Sequence, residues 1–66
     1  MKIVLNGEPF EALGPITVTH LLTQLNIDPR RVAVEHNLTV VKKAAYSLTV
    51  INEDDVVEVV NFVGGG

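Results

Sequence analysis

No cysteine occurs among the 66 residues, which removes disulfide frameworks, thiolate metal sites and thiol nucleophiles from consideration. Basic residues are also scarce. Five Lys and Arg stand against eight Asp and Glu, for a formal net charge of −3 and an isoelectric point near 5.1. Phosphate recognition needs clustered Lys and Arg, so nucleic acid is excluded as the main ligand. No apolar run approaches the roughly 20 residues that span a bilayer. The opening Met1-Lys2-Ile3-Val4-Leu5 meets Asn6-Gly7 before a signal-peptide core develops. A membrane partner is therefore not expected. A chain this short buries only about 60% of the surface its unfolded form exposes, which leaves little room for a large enclosed active site. What the chain does have is apolar material: 47% of its residues are hydrophobic, too many for intrinsic disorder. The expectation is one acidic domain, soluble and cytoplasmic.

Punctuation along the chain divides it into short elements. Residues 1–5 are β-rich, and Asn6-Gly7 is a strong hairpin signal because a type I′ turn needs positive φ at both central positions. A second strand over 8–13 pairs back on the first; Pro9 suits an edge position, where no ladder donor is needed. Gly14-Pro15 ends it. Val18, Leu21, Leu22 and Leu25 recur at i, i+3, i+4 and i+7, one apolar stripe of a helix of at most three turns. Thr17 is its N-cap, and Asn26-Ile27 followed by Asp28-Pro29 closes it.

Residues 31–35 read as a strand, His36-Asn37 as a turn and residues 38–41 as a fourth strand. A helical turn around Ala44-Ala45-Tyr46, an extended segment and the polar turn 52–55 follow. The last strand runs from Val56 to Phe62. It is the most β-branched and carries only Glu58 as a mid-strand charge, so it belongs in the centre of the sheet, beside the first strand. One mixed sheet of four to five strands packed on one helix is an α+β domain of β-grasp architecture. The domain is expected over 1–63, with 64–66 as a flexible glycine tail.

Three glycines after a strand add nothing to its stability, since glycine loses the most backbone entropy on ordering. A frayed end without a role would account for them. So would a mobile arm that carries an α-carboxylate into another protein's active site, where the absence of side chains eases passage through a narrow channel. Parity in the preceding strand favours the arm. Val57 and Val59 share one face, while Val56, Glu58, Val60 and Phe62 share the other. Glu58 marks that second face as solvated, which leaves Val60, Phe62 and Val63 as an exposed apolar cluster and a candidate docking surface. A carboxylate is a poor electrophile until it is adenylated. The chain lacks a thiol of its own, so it is expected to be a carrier rather than an enzyme, with ATP used by a partner and no cofactor bound.

The ending Asp55-Val56-Val57-Glu58-Val59-Val60-Asn61-Phe62-Val63-Gly64-Gly65-Gly66 resembles that of the sulfur carriers of thiamine biosynthesis, the ThiS family of ubiquitin-like proteins. The resemblance extends to Asn6-Gly7, to the Thr17-Val18…Leu21-Leu22…Leu25 helix, to Val34-Glu35-His36-Asn37 (relatives often have Arg at His36), and to Tyr46 at a position where the family commonly has an aromatic. It implies that Gly66 is adenylated by an E1-like enzyme of the ThiF type and converted to a thiocarboxylate. It makes Gly65 the other member of the family's glycine pair and Gly64 a further flexible link. It also implies sulfur from a donor such as a cysteine desulfurase, and delivery to a thiazole synthase of the ThiG type. Two alternatives stay open: a sulfur carrier for molybdopterin or tRNA thiolation, and a non-catalytic ubiquitin-like interaction module.

Other candidates are weaker. His20 and His36 lie on different elements without a third ligand in register, and His20 belongs on the polar helix face. Glu53-Asp54-Asp55 lacks the calcium-loop spacing and reads as turn chemistry. Residues 53–66 nevertheless hold four acids and no base, which is expected to steer docking toward a basic partner surface. Lys42-Lys43 reads as a solvated turn.

Overall fold

The computed structural model describes residues 1–61; the expected tail at 64–66, together with Phe62 and Val63, lies outside them. Strand β1 (Lys2–Leu5) and strand β2 (Glu8–Glu11) form the expected hairpin, in register Lys2↔Glu11 to Leu5↔Glu8. Asn6 and Gly7 both take positive φ, 51° and 81°, as a type I′ turn requires. A two-residue strand β3 (Ile16–Thr17) leads into helix α1 (Val18–Gln24). A short 3₁₀ helix at Pro29–Arg31 precedes β4 (Val32–His36), which pairs with β5 (Thr39–Val41). A second 3₁₀ turn at Lys43–Ala45, β6 (Val50–Ile51) and β7 (Val56–Asn61) complete the described chain.

The main sheet has the order β2-β1-β7-β4-β5, and β3 with β6 forms a separate two-stranded sheet. The last strand is central, as expected. It runs parallel to β1 (Val4↔Val56, Leu5↔Val57) and antiparallel to β4 (Val32↔Asn61 to His36↔Val57). Pro9 sits on edge strand β2, where its missing N–H costs no ladder bond. The architecture is the ubiquitin-like β-grasp.

One face of the sheet carries the core. Val18, Leu21 and Leu22 of α1 pack on Ile3, Val32, Val34 and Val57, with Ile51 and Tyr46 closing one end. Leu25 is only partly buried, because the helix ends at its second turn. The capping explains the length. The Thr17 hydroxyl accepts the His20 amide at the start. At the other end Asn26 takes φ 59°, while the amides of Asn26 and Ile27 return to the carbonyls of Thr23 and Leu22. That is a Schellman closure with asparagine in place of the usual glycine.

The structure corrects two expectations. The second hairpin turns at Asn37-Leu38 rather than His36-Asn37, with φ 51° and 71°; His36 remains in β4 and β5 starts at Thr39. The cause is register. Pairing of Val34 with Val41 carries the ladder on to His36↔Thr39, and the two residues left between them, Asn37 and Leu38, make the turn. Lys43 is not a solvated turn residue: its Nζ donates to the carbonyls of Pro29 and Val32 and lies 5.6 Å from the Tyr46 ring centroid. The expected extended segment before the final turn is present as β6, which pairs with β3 beside the start of α1.

Candidate functional site

Strand β7 carries Val60, and the other candidate site residues follow it in the sequence. Its alternation is clear through Val60. Val57 is fully buried and Val59 packs against the core, while Val56, Glu58 and Val60 point to the outer face of the sheet. Val60 is 59% exposed and stands opposite Ala33 of β4. Phe62, Val63, Gly64, Gly65 and Gly66 lie outside the described residues, so Val60 is the one predicted site residue with a described environment.

The outer face holds more than the sequence parity of one strand indicates. Neighbouring strands add Val4, in register with Val56, and Val40, in register with Glu35. Val40 is 66% exposed. Among these apolar side chains Glu58 and Glu35 are directly opposite one another on β7 and β4. Sequence reading missed this pair, since two carboxylates 23 positions apart meet only through the antiparallel register of β4 with β7.

At the other end of β7 a polar cluster fixes the strand's entry. His36 Nε2 lies 2.6 Å from Asp55 Oδ2; an ionised carboxylate only accepts, so Nε2 carries the proton. The Asn52 amide donates to the same oxygen at 2.8 Å, and Asn37 Nδ2 donates to Oδ1 at 3.2 Å. Burial pushes the Asp55 carboxyl up, but these donors outweigh it and hold the carboxyl below its ordinary range. The two candidate histidines therefore separate. His36 is a structural partner of Asp55, and His20 stands exposed on α1.

Other chemistry is not gathered here. Among the described residues no group of three or more His, Asp or Glu comes together in a way that could hold a metal ion. No helix of the described residues is long and apolar enough to cross a membrane. A shallow groove beside β5, lined by His36, Val41, Ala45 and Thr49 among others, excludes Val60. What the described residues bring together is an exposed apolar face with a central acidic pair, on the strand that precedes the glycines in the sequence.

Comparison with known proteins bears on the fold and the family. The chain is 50% identical over 66 residues to a thiazole synthase of Magnetococcus marinus and 46% identical to a thiazole synthase of Paramagnetospirillum magneticum. Both matches cover 100% of this chain and 20% of the relative, so the chain spans about a fifth of the length of these curated relatives. The crystal structure of a thiamine biosynthesis protein (ThiS) from Geobacter metallireducens superimposes with a TM-score of 0.88 at 35% identity, with all of both chains covered. The ThiS family model matches residues 3–66, the terminal glycines included, and the chain belongs to the ThiS family.

Proposed function

We propose that this protein is the sulfur carrier for thiazole formation in thiamine biosynthesis, and that Gly66 is the residue that carries the sulfur. The observation behind this reading is that the family match runs through Gly66 and so includes the glycine ending. In the proposed cycle a Gly66 carboxylate oxygen attacks the α-phosphorus of ATP on an E1-like enzyme of the ThiF type, and pyrophosphate leaves. A sulfur nucleophile then attacks the acyl carbon and AMP leaves. Sulfide gives the thiocarboxylate directly. A persulfide, as on a cysteine desulfurase, gives an acyl disulfide that a further thiol cleaves. The chain has no cysteine, so the donor and the reducing thiol both come from partners. The catalytic groups belong to those partners, and this chain acts as their substrate.

The receiving enzyme in this proposal is a thiazole synthase. Two thiazole synthases contain a segment similar to this whole chain within their own polypeptide. Joining a carrier to the enzyme it serves raises their effective concentration to roughly the millimolar range for short flexible linkers, which is useful only if the two meet. Val60, with Phe62 and Val63, is the proposed contact between the carrier and its activating enzyme.

Intact-protein mass spectrometry tests the chemistry. The chain is incubated with ATP, the adenylating enzyme and sulfide, and a gain equal to one oxygen replaced by sulfur, mapped to Gly66, is expected. Adding one residue after Gly66 should abolish that gain. An unchanged mass, with the enzyme active on a control carrier, would instead favour an interaction module.

A further inference from the structure

We propose that the outer face of the sheet is a docking surface for a different protein that presents a lysine or arginine among apolar side chains, and that Glu35 and Glu58 together receive that cation. The inference rests on the carrier reading and specifies the chemistry of the surface that the activating enzyme brings to this chain.

Three observations carry it. Helix α1 and the core occupy the inner face, whereas Val4, Val40, Val56 and Val60 remain exposed on the outer one, on β1, β5 and β7, with Glu35 of β4 lying between Val40 and Glu58. Isolated exposed apolar residues are ordinary, but a contiguous group is characteristic of an interaction site. Second, Glu35 and Glu58 are cross-strand partners in the middle of that group. Like charges directly opposite each other destabilise a sheet, and among the described residues neither takes part in an ion pair. Lys42, which follows β5, makes no ion pair with either. A guanidinium or ammonium from outside would turn this repulsion into two charge-assisted hydrogen bonds. Third, the five residues after Asn61 span at most about 18 Å when extended. A protein that acts on Gly66 must therefore stand within that distance of the end of β7, next to Val60 and Glu58.

The charges also decide against a second copy as the occupant. Two such faces laid together would bring four carboxylates into one desolvated interface, which is strongly unfavourable. The complement has to be basic where this face is acidic, with apolar side chains around it.

The test uses the full chain and the purified adenylating enzyme of the same organism, with affinity read by titration calorimetry at two salt concentrations. The variants are Glu35→Gln, Glu58→Gln, the double substitution and Glu58→Lys. The double substitution should weaken binding about tenfold or more and reduce its salt dependence. Each Gln variant should keep or raise the thermal midpoint of the free chain, because a repulsion is removed. Glu58→Lys should raise the midpoint further by pairing with Glu35, and weaken binding most. A merely structural role would move stability and binding in the same direction. Unchanged affinity in the double variant would overturn the proposal, as would self-association of the wild-type chain that Glu58→Lys abolishes. Sulfur loading at saturating enzyme separates the two readings. A wild-type chain that gains sulfur while the double variant binds normally sinks only the docking surface; a wild-type chain that never gains sulfur sinks the carrier.

Discussion

Two asparagines each serve this fold twice. Asn6 and Asn37 occupy the first left-handed position of a hairpin turn, and each also extends the pairing of β7 past the end of a neighbouring strand. On the β1 side the Asn6 amide donates to Val57 O, and its Oδ1 accepts the Val59 amide at 2.8 Å. On the β4 side the Asn37 amide donates to Val56 O, and its Oδ1 accepts the Val56 amide at 2.8 Å. The sequence marks both residues as turn formers, because left-handed tolerance is a property of the residue type. Their side-chain bonds to β7 depend on which strand lies alongside, and nothing local encodes that. Leu38 is the converse case. It holds φ 71° while 86% exposed, a conformation costing roughly 1–2 kcal/mol for a residue with a Cβ. Leucine gives no sign of such a turn, so the expected hairpin is displaced by one residue. Leu38→Gly loses no packing and should raise unfolding stability by about 0.5–1 kcal/mol after glycine's greater unfolded-state entropy is allowed for. Urea titration of the two proteins measures it; a loss of stability would show that the Leu38 side chain has a partner in solution.

At the scale of elements, legibility follows length and periodicity. The α1 stripe is readable because four apolar residues at helical spacing fit one face of a helix and no face of a strand. Strand β7 is readable because its first five residues alternate, with β-branched Val57 and Val59 at the inward positions. Strands β3 and β6 have two residues each, too short for any period to register. Their pairing nevertheless matters to α1, since Thr17 is both the last residue of β3 and the helix N-cap. A helix of seven residues is not stable by itself; it persists through its caps and the burial of Val18, Leu21 and Leu22. Thr17→Ala should therefore cost about 1 kcal/mol, whereas Thr17→Ser should cost much less because it keeps the oxygen that accepts the His20 amide. Thermal unfolding of both variants distinguishes the cap from the β3 pairing: equal losses would assign the effect to the strand. The site is legible to a similar degree. Alternation along β7 predicts the outward position of Val60, but Glu35 joins Glu58 only through the register of a separate strand.

The whole molecule is closed by contacts between the start of the chain and β7, and several of them depend on carboxylates. Strand β1 meets β7 through Val4↔Val56 and Leu5↔Val57, and the Lys2 amide donates to Glu53. At the entrance of β7 Asp55 joins its own 52–55 turn to the end of β4 and the following hairpin turn, through Asn52, His36 and Asn37. Asp28 caps the 3₁₀ helix, and hydrogen bonds from the Arg30 side chain and amide lower its pKa to about 2. Both carboxyls thus titrate below the ordinary aspartate range when the chain is folded. Protonation then favours the unfolded chain, which binds more protons in that range, so stability falls as the pH falls. The contribution is complete above about pH 4 to 5 and is lost on descent through the lowered values toward about pH 2. Urea midpoints should hold level from about pH 7 to 5 and decline below about pH 4. Asp55→Asn should be less stable than wild type at neutral pH, because it loses the charged acceptor opposite His36, and its acid decline should be shallower. An identical acid slope in the variant would mean that Asp55 does not hold these turns to β7 in solution, and that the closure rests on the backbone ladder alone.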